Sequence, residues 1–138
     1  MKKHERDRID AFQAMCLRKI LRIPHPMISH VSNNSVLQSA GERSLSKQLA
    51  ARQVILFCKI AVLPDDSLLR NTVFKPSSFD LKLFEGARRR GRPRVSWVSA
   101  VSTQALSIAG GNSQRMQDFF NKPGAVNTWK HAVKLHFA

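Results

Sequence analysis

Apolar residues in this chain recur at steps of three and four in a series of short runs, and proline or glycine stops most of them. Such spacing places apolar side chains along one face of a helix, and the stops keep each helix short. In the first run, from about Glu5 to Arg22, Ile9, Phe12, Gln13, Cys16, Leu17, Ile20 and Leu21 share a face. Arg6, Arg8, Arg18, Lys19 and Arg22 fall on the other side, and Pro24 and Pro26 end the run. Ser32-Asn33 offers an N-cap for a short helix through Val36, Leu37 and Ala40, closed by Gly41. A third helix begins at Ser44, with Leu45, Leu49, Leu56, Ile60 and Leu63 as its apolar positions. As the most hydrophobic segment it is expected at the centre of a bundle. Pro64-Asp65-Asp66 breaks it, and the aspartates are expected to cap a fourth, short helix carrying Leu68, Leu69 and Val73.

Beyond Pro76, the apolar residues Phe79, Leu81, Leu83 and Phe84 alternate with Asp80 and Lys82, as in a short strand or an extended segment lying on the bundle. Helical spacing resumes from Val95 to Ala109 through Trp97, Val98, Val101, Ala105, Leu106 and Ile108, and Gly110-Gly111 ends it. Asn112-Ser113 starts a short helix with Met116, Phe119 and Phe120; Pro123-Gly124 turns into a last one with Val126, Trp129, Val133 and Phe137. The expected fold is all-α, a small bundle of six to seven short helices interrupted by an extended Arg-rich strap, with no internal repeat and no βαβ signal. Its expected parts are an N-terminal helical half (1–74), a basic linker (75–94) and a C-terminal helical half (95–138), forming one compact domain overall.

Charge narrows the function. The 138 residues carry 23 Lys+Arg against 9 Asp+Glu, a net +14. Residues 75–94 hold seven cations, five of them in Arg88-Arg89-Arg90-Gly91-Arg92-Pro93-Arg94. Gly91 and Pro93 argue against a helix there and for a solvated strap. A balance this basic points to a polyanionic partner. No apolar run approaches the roughly 20 residues that span a bilayer, and the polar, mixed-sign N-terminus does not resemble a secretory or transit peptide. An intracellular, nuclear protein with no membrane partner is expected; the oligomeric state is not legible.

The residues capable of catalysis or metal binding have ordinary explanations. Asp65-Asp66 are the adjacent carboxylates, but a two-metal site draws its ligands from separate elements, so capping is the expected role. Asp7 and Asp10, among Arg6 and Arg8, read as solvated helix charges. Cys16, Cys58, His25 and His30 lack zinc-ligand spacing except for His25 and His30, and both cysteines lie on apolar faces. His131 and His136, five apart, do not share a helix face. No cofactor, metal or catalytic residue is expected. Trp97 and Trp129 lie on helical stripes and read as core residues rather than base-stacking platforms. The candidate binding residues are Arg88, Arg89, Arg90, Arg92 and Arg94, whose guanidinium groups grip phosphates bidentately. Arg90-Gly91-Arg92-Pro93-Arg94 also resembles the core of an AT-hook, an extended segment that lies in a narrow A·T-rich minor groove.

Several motifs in order carry a broader resemblance. They are Asp10-Ala11-Phe12-Gln13, Cys16-Leu17-Arg18-Lys19-Ile20-Leu21, Ile23-Pro24, Val31-Ser32-Asn33 with Val36-Leu37, and Arg52-Gln53 through Leu56-Phe57 and Lys59. Pro64-Asp65-Asp66, Gly91-Arg92-Pro93-Arg94 with Trp97, and Trp129 complete the set. This order resembles the segment that follows the reverse-transcriptase domain in non-LTR (LINE-type) retrotransposon polyproteins, over roughly Glu5 to Phe137. The resemblance implies a non-catalytic accessory segment that helps hold RNA or DNA, mainly by its phosphates, beside a reverse-transcriptase domain encoded upstream. The aromatic-x-Asp-Asp motif of such polymerases is absent; Leu63-Pro64-Asp65-Asp66 is not that motif, so no catalytic residue carries over. The alternatives are a stand-alone AT-hook-like DNA- or chromatin-binding protein, and a decayed remnant with no selected function.

Overall fold

The computed structural model describes residues 3–82 and 96–137. Among them are eight helices: α1 Lys3–Ile20, α2 Pro26–Ser29, α3 Asn33–Ser39, α4 Leu45–Ala61, α5 Leu68–Val73, α6 Trp97–Ile108, α7 Ser113–Asn121 and α8 Ala125–His136. The protein is all-α, as expected. The additional element is α2, a single turn at the two prolines, where the sequence pattern indicates only a stop. Pro26 occupies its first turn, where a missing N–H costs nothing, and the His25 ring accepts from Met27 N at 3.4 Å.

Local punctuation decided the other boundaries. Ser32 Oγ accepts from Ser35 N at 3.1 Å to cap α3, and Gly41, at φ +66°, closes it in the left-handed conformation. Asn112 Oδ1 accepts from Gln114 N and Arg115 N at the start of α7. Gly124, at φ +74°, turns the chain into α8.

The chain packs as two compact units, Met1–Ala50 and Ala51–Ala138, which divide within α4. This boundary lies upstream of the basic linker that the charge pattern picks out. In the first unit α1 packs on α3, with Ala14 and Val36 fully buried. The second unit holds a larger core of Val54, Phe57, Cys58, Ile60, Val73, Phe74, Val101, Ala105, Met116, Phe120, Trp129 and Val133. Aromatic rings set its geometry: Phe57 meets Phe74 at 5.2 Å and Phe120 at 6.2 Å between centroids. Trp129 stands edge-on to Phe119 and Phe120, and its indole N–H donates to Val54 O at 3.1 Å. Both tryptophans therefore behave as core residues, Trp97 as a half-buried one packed against the cluster.

Two helix faces differ from the sequence expectation. In α4 the buried positions are Val54, Phe57, Cys58, Ile60 and Ala61, while Leu45, Leu49 and Leu56 are exposed. The Phe57 ring fills more of the core than a leucine stripe would, so the helix turns that face inward. In α1 the inversion goes further. Its buried residues are Gln13, Ala14 and Arg18, whereas Phe12 is 59% exposed and Ile20 74%.

After α5 the chain doubles back. Phe74 and Leu81 form an isolated antiparallel bridge, with Lys75 N on Asp80 O and Lys82 N on Val73 O, both at 2.8 Å. Phe79 then packs on Phe74 and Phe120, so this is the extended-segment alternative rather than a strand of a sheet. Leu83 and Phe84 lie outside the described residues.

Candidate nucleic-acid interface

The arginines chosen from sequence, Arg88, Arg89, Arg90, Arg92 and Arg94, lie outside the described residues, as do the boundaries of the strap. Lys75 and Lys82, the other cations of that basic stretch, are described, and both are exposed. What the rest of the chain does with its charge is therefore the structural information that bears on a polyanion interface.

Among the described residues two cations are buried, and each serves the fold. Arg18, placed by sequence on the solvent side of α1, is 5% exposed. Its guanidinium donates to Pro24 O at 3.2 Å, Ser29 Oγ at 3.3 Å, Asn33 Oδ1 at 3.3 Å and Val31 O. The cause is local: the segment between α1 and α3 turns the Pro24 and Val31 carbonyls toward α1, and the two terminal nitrogens of the guanidinium satisfy them where water is excluded, leaving Nε without a partner.

Arg70 plays the same part in the second unit. It donates from Nη1 to Ala61 O at 2.6 Å, from Nη2 to Ser78 O at 3.2 Å and from Nε to Asp65 Oδ1 at 2.9 Å. Its guanidinium also lies 5.5 Å from the Phe74 centroid and 5.1 Å from that of Phe79. This corrects the capping role assigned to Asp65. Ser67 is the N-cap residue of α5 and makes no side-chain cap bond, while Asp65 is drawn to the buried guanidinium instead. The guanidinium, fixed by its bonds to the Ala61 and Ser78 carbonyls, stands 2.9 Å from the Asp65 carboxylate and takes it.

Asp10 is likewise not a solvated charge. Its carboxylate accepts from Ser46 N at 2.9 Å and Ser46 Oγ at 2.6 Å, in the first turn of α4. Beside it, Gln13 Oε1 accepts from Leu45 N at 2.8 Å, and Gln13 Nε2 donates to Arg43 O at 2.9 Å. Two side chains of α1 thus satisfy the free N–H groups that open α4, and the carboxylate meets the positive end of its dipole.

Every other described lysine and arginine is exposed: Lys3, Arg6, Arg8, Lys19, Arg22, Arg43, Lys47, Arg52, Lys59, Lys75, Lys82, Arg115, Lys122, Lys130 and Lys134. Two of the nine acidic side chains bond within the protein, Asp10 half-buried and Asp65 largely exposed. The described surface therefore carries fifteen of the seventeen described lysines and arginines.

Among the described residues no group of three or more His, Cys, Asp or Glu is placed to hold a metal ion. Cys58 is fully buried, and desolvation pushes its thiol up to about 12, so it behaves as an apolar core residue rather than a nucleophile. No described helix is long and apolar enough to cross a membrane.

The residues that sequence reasoning missed are those on the outer face of α1, where Phe12 and Met15 stand exposed between cations. Gln13, in the middle of the expected apolar stripe, is the signal that pointed the other way. No family model, curated protein or solved structure matches the chain.

Proposed function

We propose that the chain is a non-catalytic nucleic-acid-binding segment, of the kind that follows the polymerase domain in non-LTR retrotransposon polyproteins, acting in the nucleus. Arg88, Arg89, Arg90, Arg92 and Arg94 supply the main phosphate contacts. The observation that carries this proposal is the disposition of charge. Of the described lysines and arginines, the fold buries Arg18 and Arg70 alone, and it leaves the rest at the surface of a +14 chain. Such a surface draws phosphate backbones through counter-ion release. The ordered set of motifs that resembles retrotransposon polyproteins points to the same partner.

A titration at two salt concentrations tests it, with structured RNA, A·T-rich duplex and G·C-rich duplex as probes. If the five strap arginines each neutralise a duplex phosphate, log K falls with log salt at a slope of about −4.5, and a fourfold rise in salt weakens binding by about a few hundredfold. Changing all five arginines to alanine is expected to make the slope shallower by about 4.5 and to weaken all three probes alike. A selective loss on A·T-rich duplex would assign the strap to AT-hook-like minor-groove binding, which Arg90-Gly91-Arg92-Pro93-Arg94 favours. Undiminished binding by the alanine variant would refute the strap's role.

A further inference from the structure

The outer face of α1 has a composition that neither folding nor phosphate gripping explains. At 100° per residue, Arg8, Phe12 and Lys19 fall within about 40° of one another on the helix, with Met15 beside them. They lie across the helix from Gln13 and Ala14, and the buried Arg18 falls on the flank between the two faces, turned to the loop before α3. Phe12 is exposed, and so are Met15, Arg8 and Lys19. From Arg8 to Lys19 the line runs about 16 Å along the axis. The carboxylate nearest this line, Glu5, lies at its N-terminal end and is already engaged within the protein.

The alternation matters more than the exposure. A helix that docks in an apolar protein groove presents a continuous apolar seam. Here the middle of the face is cation, aromatic ring, thioether, cation. A protein groove would have to desolvate Arg8 and Lys19 to reach Phe12, and stripping water from unpaired charges costs several kcal/mol per ion. A second copy of the chain would bring its own +14 charge against them. A single nucleic-acid strand meets both demands, since its phosphates accept from the cations and its unpaired bases offer faces to the ring.

We infer that the outer face of α1 is a contact for single-stranded nucleic acid, with Phe12 as the stacking platform for an unpaired base and Arg8 and Lys19 gripping the phosphates on either side. The inference rests on the proposed nucleic-acid function and adds to it a preference for unpaired bases that the strap alone does not supply.

The full chain is titrated with an oligothymidine, an abasic strand carrying the same number of phosphates and a blunt duplex. Phe12→Ala is expected to weaken oligothymidine binding by about 5- to 150-fold, the equivalent of ~1–3 kcal/mol per stacked base at 1.4 kcal/mol per tenfold. Binding to the abasic strand and the duplex stays unchanged, because the ring meets no base there. Phe12→Tyr keeps a ring and retains affinity, whereas Phe12→Leu keeps apolar bulk without a ring and does not. Changing Arg8 and Lys19 together to alanine lowers the single-strand salt slope by about 1.4.

Phe12 is exposed, so the variants fold, and matching circular dichroism and urea midpoints check it. Equal affinity of Phe12→Ala and the parent for oligothymidine overturns the inference while leaving the strap intact. An equal loss on the abasic strand, full rescue by leucine, or a loss of self-association also overturns it, assigning the face to another contact. Failure of the parent chain to bind any probe removes the proposed function and the inference together.

Discussion

Replacing Arg70 with methionine isolates what one buried guanidinium does for the second unit. Methionine has similar length and keeps a packed, apolar stem against Phe74 and Phe79, so the change removes charge and donors more than volume. Three contacts are lost: Nη1 to Ala61 O at 2.6 Å, Nη2 to Ser78 O at 3.2 Å and Nε to Asp65 at 2.9 Å. The Asp65 side chain is 57% exposed, so that ion pair is screened and contributes under ~1 kcal/mol. The carbonyls of Ala61 and Ser78 are the larger cost, about 1–3 kcal/mol each when left without a donor. Relief from burying the guanidinium offsets part of this. The net expectation is a loss of about 3 kcal/mol, against less than ~1 kcal/mol for Asp65→Asn. Trp97 and Trp129 both belong to the second unit, so tryptophan fluorescence in urea reports the unit that Arg70 serves. At an m-value of ~1–3 kcal/mol/M, Arg70→Met lowers the midpoint by about 1–3 M. If Asp65→Asn is as costly as Arg70→Met, the ion pair and not the carbonyl clamp holds this region, and the reasoning fails.

Gln13→Leu completes the apolar stripe that periodicity would favour in α1, yet it removes the partners of Leu45 N and Arg43 O. A destabilisation of about 1–3 kcal/mol is expected by chemical denaturation, and a more stable variant would contradict the observed helix orientation. Asp10→Ala removes the acceptor at Ser46 and costs about 1 kcal/mol, with faster hydrogen exchange in the first turn of α4. Cys58 gives a pH test: its thiol rises from 9.0 to about 12 in the folded chain, so the folded state holds the proton more tightly. The stability linked to that proton is complete below pH 9 and is lost as pH rises toward 12, so the deficit of Cys58→Ala should shrink across that window. A deficit that widens there would reverse the sign of the effect.

The sequence by itself determined the helical class and most helix ends, because those depend on neighbours in the chain. Ser32, Gly41, Asn112, Gly110-Gly111 and Pro123-Gly124 act on backbone groups within a few residues, and a local pattern is enough to read them. The core of the second unit was legible for the same reason, since Val101, Ala105, Met116, Trp129 and Val133 follow the helical repeat. Tertiary structure decided the roles of the polar residues. Asp10 meets Ser46 across 36 positions, Gln13 meets Leu45 across 32 and Arg18 closes on Val31 across 13. No local pattern distinguishes such a side chain from a solvated one, because its partner is a backbone group that becomes available only when the chain folds back. Once those polar groups turned inward, Phe12 had to turn outward, since at 100° per residue it stands about 100° or more around the helix from Asp10, Gln13, Ala14 and Arg18. The candidate strand-binding face of α1 is thus a consequence of how α4 and the loop before α3 satisfy their backbone hydrogen bonds.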